Sequence, residues 1–197
     1  MKRWLALLLL LPMGACGYNS IQSLDEQAAS AQSQIEVQLQ RRADLIPNLV
    51  STVKGYAQHE EAVFIQVAQA RAGLLGAIQS HDAEQMANAN AQLSSSLGRL
   101  MVSVEAYPQL KADQGFIRLQ DELTGTENRI AVSRGDYNQA VNAYNAYIRQ
   151  FPAVLTAKVT GAKPRKYFTA TGAAEQGPPT VDFSKPPAAN PSATKTP

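Results

Sequence analysis

The sequence predicts an all-α protein: an antiparallel four-helix bundle with a long, kinked first helix, a long fourth helix and a disordered C-terminal tail. Three observations support this prediction. Apolar residues recur three or four positions apart through most of the 197-residue chain, which is the helical period. Ala, Gln, Leu, Glu and Arg dominate the middle of the chain and favour helix. No segment of the sequence shows the alternating apolar pattern that indicates a strand.

The N-terminus is typical of a secretion signal over residues 1–15. Lys2 and Arg3 form a positive start, and a short apolar run follows over residues 4–11. A transmembrane helix needs ~20 apolar residues, and this run is much shorter. We therefore expect a cleaved signal peptide rather than a membrane span.

The signal leads to Cys16, the only cysteine in the chain. Gly14 and Ala15 before it resemble the lipobox of bacterial lipoproteins, with Met13 where that motif usually has Leu. An exported lone cysteine has no disulfide partner, so we expect Cys16 to be attached to membrane lipid. The alternative is an ordinary signal peptide whose removal leaves a free thiol. Gly17 in place of Asp favours, by resemblance to sorting in Gram-negative cells, an outer-membrane lipoprotein that faces the periplasm.

The first helix of the mature chain is predicted to run for about 35 residues, from Ile21 to near Gly55. Two of its residues conflict with a simple helix. On a helical wheel Arg42 falls in the middle of the apolar stripe, and Pro47 lies inside the helix. Pro47 removes an amide donor and clashes with the carbonyl of Ala43, so a kink is expected there.

Three further helices follow. The second lies between "QHEE" and residues 80–82, where Asp82 is the predicted N-cap of the third. Pro108 ends the third helix. The fourth begins after the predicted N-cap Asp113 and ends at Pro152, and its core residues lie seven apart: Phe116, Leu123, Ile130, Tyr137, Tyr144 and Phe151. Residues 172–197 are rich in Pro, Ala, Thr and Ser, so they are assigned to a disordered tail.

The charge is small overall but unevenly distributed. The net charge of +2 gives no case for nucleic acid as a partner. Residues 17–151 carry 10 Lys and Arg against 14 Asp and Glu, whereas residues 152–197 carry 6 against 2. Lys163, Arg165 and Lys166 form a basic cluster that is a candidate contact for anionic lipid headgroups or for a partner. The alternative is an ordinary solvated surface.

Motifs for enzyme chemistry are absent from the sequence. The two histidines do not form an H-E-x-x-H motif, and no His, Cys or Asp cluster has metal-ligand spacing. No P-loop or G-x-S-x-G motif occurs. We therefore predict no catalytic residue, no metal and no cofactor.

Several linked blocks resemble the LemA family. They include "QLQRRADLIPNLVSTVKGYAQHE" (38–60), "AYPQLKADQGF" (106–116), "LQDELTGTENRI" (119–130), "DYNQAVNAYN" (136–145) and "GAKPRKYF" (161–168). The resemblance covers residue 18 to about residue 183 and implies a helical, extracytoplasmic, membrane-anchored domain, here assigned to residues 16–171. Many LemA proteins have an N-terminal transmembrane helix where this chain has a lipobox. The family implies no settled biochemical activity.

Arg42 needs a carboxylate partner, because an unpaired buried charge costs several kcal/mol. On the fourth helix, Glu127 and Glu122 flank the apolar stripe, and Arg134 is also predicted to face inward. We expect a buried polar network with Glu127 as the first partner of Arg42 and Glu122 as the second. One interpretation is structural, in which the network fixes the register of the helices. The other is a binding site for a partner or ligand at the kink of Pro47.

The function predicted from the sequence is that of a non-enzymatic, lipid-anchored cell-envelope protein that binds or scaffolds a membrane or periplasmic protein partner. Two alternatives stay open. One is a carboxylate-based hydrolase of unknown substrate built on Glu122 and Glu127. The other is a membrane-surface protein that binds lipid through its basic C-terminal part.

The anchor gives the first testable prediction. We expect the mature chain to begin at Cys16 and to carry acyl chains, because the lone cysteine follows a short apolar signal. Intact-mass spectrometry of the membrane fraction, compared with the Cys16→Ser variant, measures the added mass. A mature wild-type chain without lipid mass would contradict the prediction.

Overall fold

The computed structural model describes residues 2–57 and 59–170, with side chains from residue 17 onward. The side chain of Cys16, Met1 and the predicted tail lie outside the described residues. Within the described range the chain forms six helices and no strand: α1 (Lys2–Lys54), α2 (Glu61–Ser80), α3 (Ala83–Val104), α4 (Pro108–Lys111), α5 (Gln114–Tyr147) and α6 (Ala153–Thr160). The all-α prediction is confirmed, and the short helices α4 and α6 are additional to the four predicted ones.

Helices α1 and α5 pack together along most of their length, and their contacts define an antiparallel register. Near one end, Ile21 of α1 packs with Tyr144 of α5. At the other end, the Tyr56 hydroxyl, just after α1, lies 3.1 Å from a carboxylate oxygen of Asp113, which caps α5. The residue numbers rise along one helix as they fall along the other, so this pair forms the long axis of the molecule.

Helices α2 and α3 form a hairpin that packs against the C-terminal half of α1. Arg71 of α2 contacts Ala43 of α1, and Gln32 of α1 donates a hydrogen bond to the carbonyl of His81 at the end of α2. These contacts make α1 and α2 antiparallel. Helix α2 packs closely against both α1 and α3, whereas α3 and α5 approach each other little, and a groove lies between them.

The predicted N-caps have the geometry that a helix start requires. The Asp82 carboxylate accepts hydrogen bonds from the backbone N–H groups of Glu84 and Gln85 at 3.0 and 3.1 Å. The Asp113 carboxylate accepts one from the N–H of Phe116 at 2.8 Å, and this bond is the main reason that the pKa of Asp113 is lowered. Both aspartates therefore begin helices where the sequence places them.

The seven-residue repeat of α5 is buried except at its last member. Phe116, Leu123, Ile130, Tyr137 and Tyr144 lie in the core, whereas Phe151 is 81% exposed. The prediction for Phe151 is wrong because α5 ends at Tyr147, so the helical period no longer sets the direction of the later side chain.

An extended segment, residues 162–169, returns along α5 after α6 and is held by two asparagines. The Asn145 side chain pairs with both the N–H and the carbonyl of Arg165, and Asn138 does the same with Phe168. The two asparagines are seven residues apart, about 10.5 Å along a helix, which matches about 10 Å for three extended residues. Phe168 is 3% exposed and belongs to the main hydrophobic core.

No helix among the described residues has a stretch that is both long and apolar enough to cross a membrane.

The core of α5 gives a stability prediction. Ile130→Ala should lower the free energy of unfolding by ~2–5 kcal/mol, because Ile130 is 3% exposed and truncation leaves a cavity. Val132→Ala is the matched control, since Val132 lies on the same helix and is 65% exposed. Urea denaturation of both variants measures the difference, and an unchanged midpoint for Ile130→Ala would show that this stripe is not core.

Candidate functional site

Arg42 is the buried charge of the long helix pair. It continues a series of inward positions on α1 seven residues apart, which contains Ile21, Ala28, Ile35 and Leu49, and it is 5% exposed. Its Nη1 atom lies 2.5 Å from Oε2 of Glu127 on α5 and 2.5 Å from Oδ1 of Asn90 on α3. One guanidinium thus joins three helices.

The structure brings only part of the predicted network together. Glu127 is the carboxylate at Arg42, but its side chain is 47% exposed, so it closes the pair at the surface rather than in the core. Glu122 and Arg134 are both exposed, and neither contacts Arg42, which corrects the expectation that they join a buried network. Asn90, whose amide stands at the centre of the site, was not predicted.

Helix geometry explains both corrections. Glu122 lies five residues before Glu127 and therefore about 140° away around α5, where its side chain meets solvent. Arg134 lies seven residues beyond Glu127. Helix α3 runs antiparallel to α5 here, so the position opposite Arg134 lies seven residues before Asn90, at Ala83. Because α3 begins at Ala83, no further turn of α3 covers Arg134.

A groove of about 340 Å³ opens above Arg42 between α3 and α5. Its wall combines apolar and small side chains with polar ones. The lining residues besides Arg42 are Ser94, Leu97, Gly98, Met101, Gln120, Leu123, Thr124, Glu127 and Asn128. Arg42 also lines the groove. The predicted pair therefore lines an open groove, which favours a binding site over a purely structural plug.

One buried donor of the Arg42 guanidinium is unpaired. Its Nε is buried and has no hydrogen-bond partner among the described residues. Such buried donors are rare in folded proteins, and each needs an acceptor such as water or a ligand. Burial lowers the pKa of Arg42, and the Glu127 carboxylate opposes that effect. Because Glu127 already balances the charge, the free donor suits a neutral acceptor such as a carbonyl oxygen.

Pro47 is accommodated by a different arginine. Helix α1 continues through Pro47 to Lys54, and the proline leaves the carbonyl of Ala43 without its usual amide donor. Nε of Arg71 on α2 donates to that carbonyl at 2.8 Å. Arg71 thus serves the carbonyl freed by Pro47, while Arg42 pairs with Glu127 and Asn90.

Two of the three predicted contact residues of the basic cluster are paired within the fold. Arg165 binds Asp25 at 2.7 Å, and this bond is the main reason that its pKa is raised. Lys166 binds Asp82 at 2.8 Å and lies 3.5 Å from Glu84. These two residues fasten the extended segment to α1 and α3, so they are less available to a membrane or partner than expected.

Lys163 is exposed and forms no ion pair within the described range. The same part of the chain holds no group of three or more His, Cys, Asp or Glu residues placed to bind a metal ion. The candidate site is therefore the Arg42 groove, a concave surface that includes one buried cation.

The fold and groove define a class of all-α proteins in which two long antiparallel helices carry a helical hairpin. The chain belongs to the LemA family, whose family model matches residues 31–183. This confirms the family resemblance of the sequence blocks.

Named relatives include magnetosome proteins and a LemA protein. Magnetosome protein MamQ 2 of Paramagnetospirillum magneticum is 30% identical over 174 residues, which cover 77% of this chain and 64% of that protein. MamQ of Magnetospirillum gryphiswaldense is 29% identical over the same shares of both chains. Protein LemA of Metamycoplasma hominis is 23% identical over 133 residues, or 68% of this chain and 60% of that protein. The chain thus spans less than two thirds of these relatives.

The ion pair predicts unequal effects for two glutamates of the same helix. Glu127→Ala should lower the free energy of unfolding by about 1–3 kcal/mol, because it leaves the buried Arg42 charge without its carboxylate. Glu122→Ala, an exposed control with the same change in helix propensity, should stay within about 0.5 kcal/mol of wild type.

A double-mutant cycle with Arg42→Met tests the coupling itself. Arg42→Met combined with Glu127→Ala should cost less than the sum of the two single changes. Additive losses in chemical denaturation would show that Arg42 and Glu127 do not stabilise each other.

Proposed function

We propose that this LemA-family protein is a non-enzymatic, lipid-anchored protein of the cell envelope that binds a segment of a partner protein in the Arg42 groove. The observation that carries the proposal is the buried Nε of Arg42, a donor without an acceptor on a residue that lines an open groove. The proposed location is the periplasmic side of a membrane, with the outer membrane favoured by Gly17 after Cys16.

The anchor would hold the groove at a defined distance from the membrane. Helix α1 runs without interruption from the lipobox region through Arg42. The 25 residues between Gly17 and Arg42 span about 37 Å of helix. A groove displaced in this way from a lipid-bearing residue can reach a partner that projects from the same membrane, which supports a scaffolding role.

The groove chemistry indicates the kind of segment that would bind. Leu97, Met101 and Leu123 offer apolar surface, and methionine adapts its shape to different side chains. The Nε–H of Arg42 would donate a hydrogen bond to one backbone or amide carbonyl of that segment. An apolar peptide segment with one carbonyl left free, such as the end of a helix, satisfies both requirements.

The hydrolase alternative gains little support from the two glutamates on which it rests. Glu122 and Glu127 point in directions about 140° apart around one helix, so their carboxylates do not face a common substrate. Both are exposed, whereas an acid catalyst of this type needs a desolvated carboxyl group. Two relatives carry magnetosome names, but a magnetosome role is not part of the proposal.

Site-specific photo-crosslinking in membranes tests the proposal. A photoreactive amino acid replaces Met101 at the groove or Val102, the adjacent residue, whose side chain is 73% exposed on another face of α3. The full-length chain is irradiated in cells with its anchor intact. We expect a discrete protein adduct from position 101 and none from position 102.

The same experiment distinguishes the alternatives. Glu127→Ala, which removes a groove residue, should reduce the adduct from position 101, while Glu122→Ala should leave it unchanged. Equal adducts from positions 101 and 102 would contradict a groove-specific partner. An adduct from position 101 with the mass of a lipid would replace the protein partner with a lipid ligand.

A further inference from the structure

Helix α6 presents an unpartnered apolar face. Leu155 and Val159 lie one turn apart on α6 and are 56% and 89% exposed, and Phe151, two residues before the helix, is 81% exposed. The opposite face buries Ala153 and Ala157, each 4% exposed. On a wheel of 100° per residue, Leu155 and Val159 lie about 120–160° away from these two alanines, so α6 is apolar on both its inner and outer sides.

The position of α6 in the fold places this face beside the predicted anchor. The helix packs against the turns of α1 around Ile21, which clusters with Ala157. Gly17 lies against Thr156, so close that a side-chain carbon on Gly17 would stand 3.4 Å from its hydroxyl oxygen. Gly17 directly follows Cys16. The exposed apolar face is therefore at the same end of the molecule as the lipobox cysteine.

The chain segment that contains α6 carries charge of one sign, whereas the neighbouring turns of α1 carry Asp25 and Glu26. Residues 137–170 contain five cationic residues and no Asp or Glu. Arg165 and Lys166 are paired with carboxylates elsewhere in the fold. The other three, Arg149, Lys158 and Lys163, are exposed and form no ion pair within the part of the chain that the structure describes. Lys158 lies about 60° from Leu155 on the wheel and so borders the apolar face.

We propose that α6 binds the surface of an anionic lipid bilayer, with the side chains of Phe151, Leu155 and Val159 inserted at the boundary between headgroups and acyl chains. An exposed apolar helix face flanked by unpaired cations has the pattern of an interfacial membrane helix. Each cation near an anionic surface adds to the attraction. This contact needs only a nearby bilayer and does not depend on acylation of Cys16 or on a partner in the groove.

A membrane-bound α6 would add a second attachment point next to the first. One anchored residue leaves a protein free to tilt about that point. A helix lying on the bilayer beside Cys16 would restrict the tilt and would direct α1, and with it the Arg42 groove, away from the membrane. This orientation is a consequence of the inference, which itself concerns only the contact of α6 with lipid.

Fluorescence quenching by brominated lipids tests the contact. The single tryptophan, Trp4, lies in the predicted signal, so a Trp4→Phe background gives one reporter at a time whether or not the signal is removed. Leu155→Trp places the reporter on the outer face of α6. Val102→Trp, at an exposed position of α3, is the matched control. Both chains are reconstituted with vesicles of phosphatidylcholine and phosphatidylglycerol with brominated acyl chains, and only the fraction that floats with the vesicles is measured.

We expect quenching of the reporter at position 155 to exceed that at position 102 by at least about twofold, since an interfacial helix places its apolar face ~5–10 Å into the headgroup and acyl boundary. Omitting phosphatidylglycerol should reduce the difference. Equal quenching at the two positions, or a chain that does not float, would overturn the proposal. So would an emission shift at position 155 that depends on protein concentration without vesicles, because that result identifies α6 as a contact between copies of the chain.

Discussion

The antiparallel pairing of α1 and α5 is the constraint on which the rest of the structure depends, and Arg42 fixes its register. A long apolar seam by itself tolerates shifts by one heptad, because the same kinds of side chain meet after each shift. A buried guanidinium does not, since its charge and donors must meet Glu127 and Asn90 at one place. Arg42 therefore links the helix pair to α3 and lines the groove that this spacing creates.

Helix α5 supports the structure on two sides. Its apolar stripe packs on α1, while Asn138 and Asn145 bind the backbone of residues 162–169. The amide side chains act as the neighbouring strand would in a sheet, because each offers one donor and one acceptor to the same residue. Lys166 then joins this segment to the start of α3 through Asp82. The C-terminal segment thus connects parts of the chain that the helices alone leave separate.

Two regions of the molecule differ in chemistry. One, formed by α6 and the turns of α1 from Gly17 to Leu24, presents exposed apolar and cationic side chains, which suit a lipid surface. The middle of the long helix pair holds the Arg42 groove, which is apolar with a neutralised buried charge and suits a peptide. Helix α1 joins the two in one continuous element, so a contact at one end sets the position of the other.

The sequence by itself determined the four longer helices, the N-caps of α3 and α5 and the inward direction of Arg42. These features depend on neighbours within a few residues: the apolar period, the carboxylates of Asp82 and Asp113, and the angle of 100° per residue. Only the tertiary structure decided which groups meet. Asn90 at Arg42, Arg71 at the carbonyl of Ala43 and the exposure of Arg134 depend on where distant helices begin and end. The apolar outer face of α6 was hidden for the same reason, because a pattern of apolar residues does not state which of them the rest of the fold will cover.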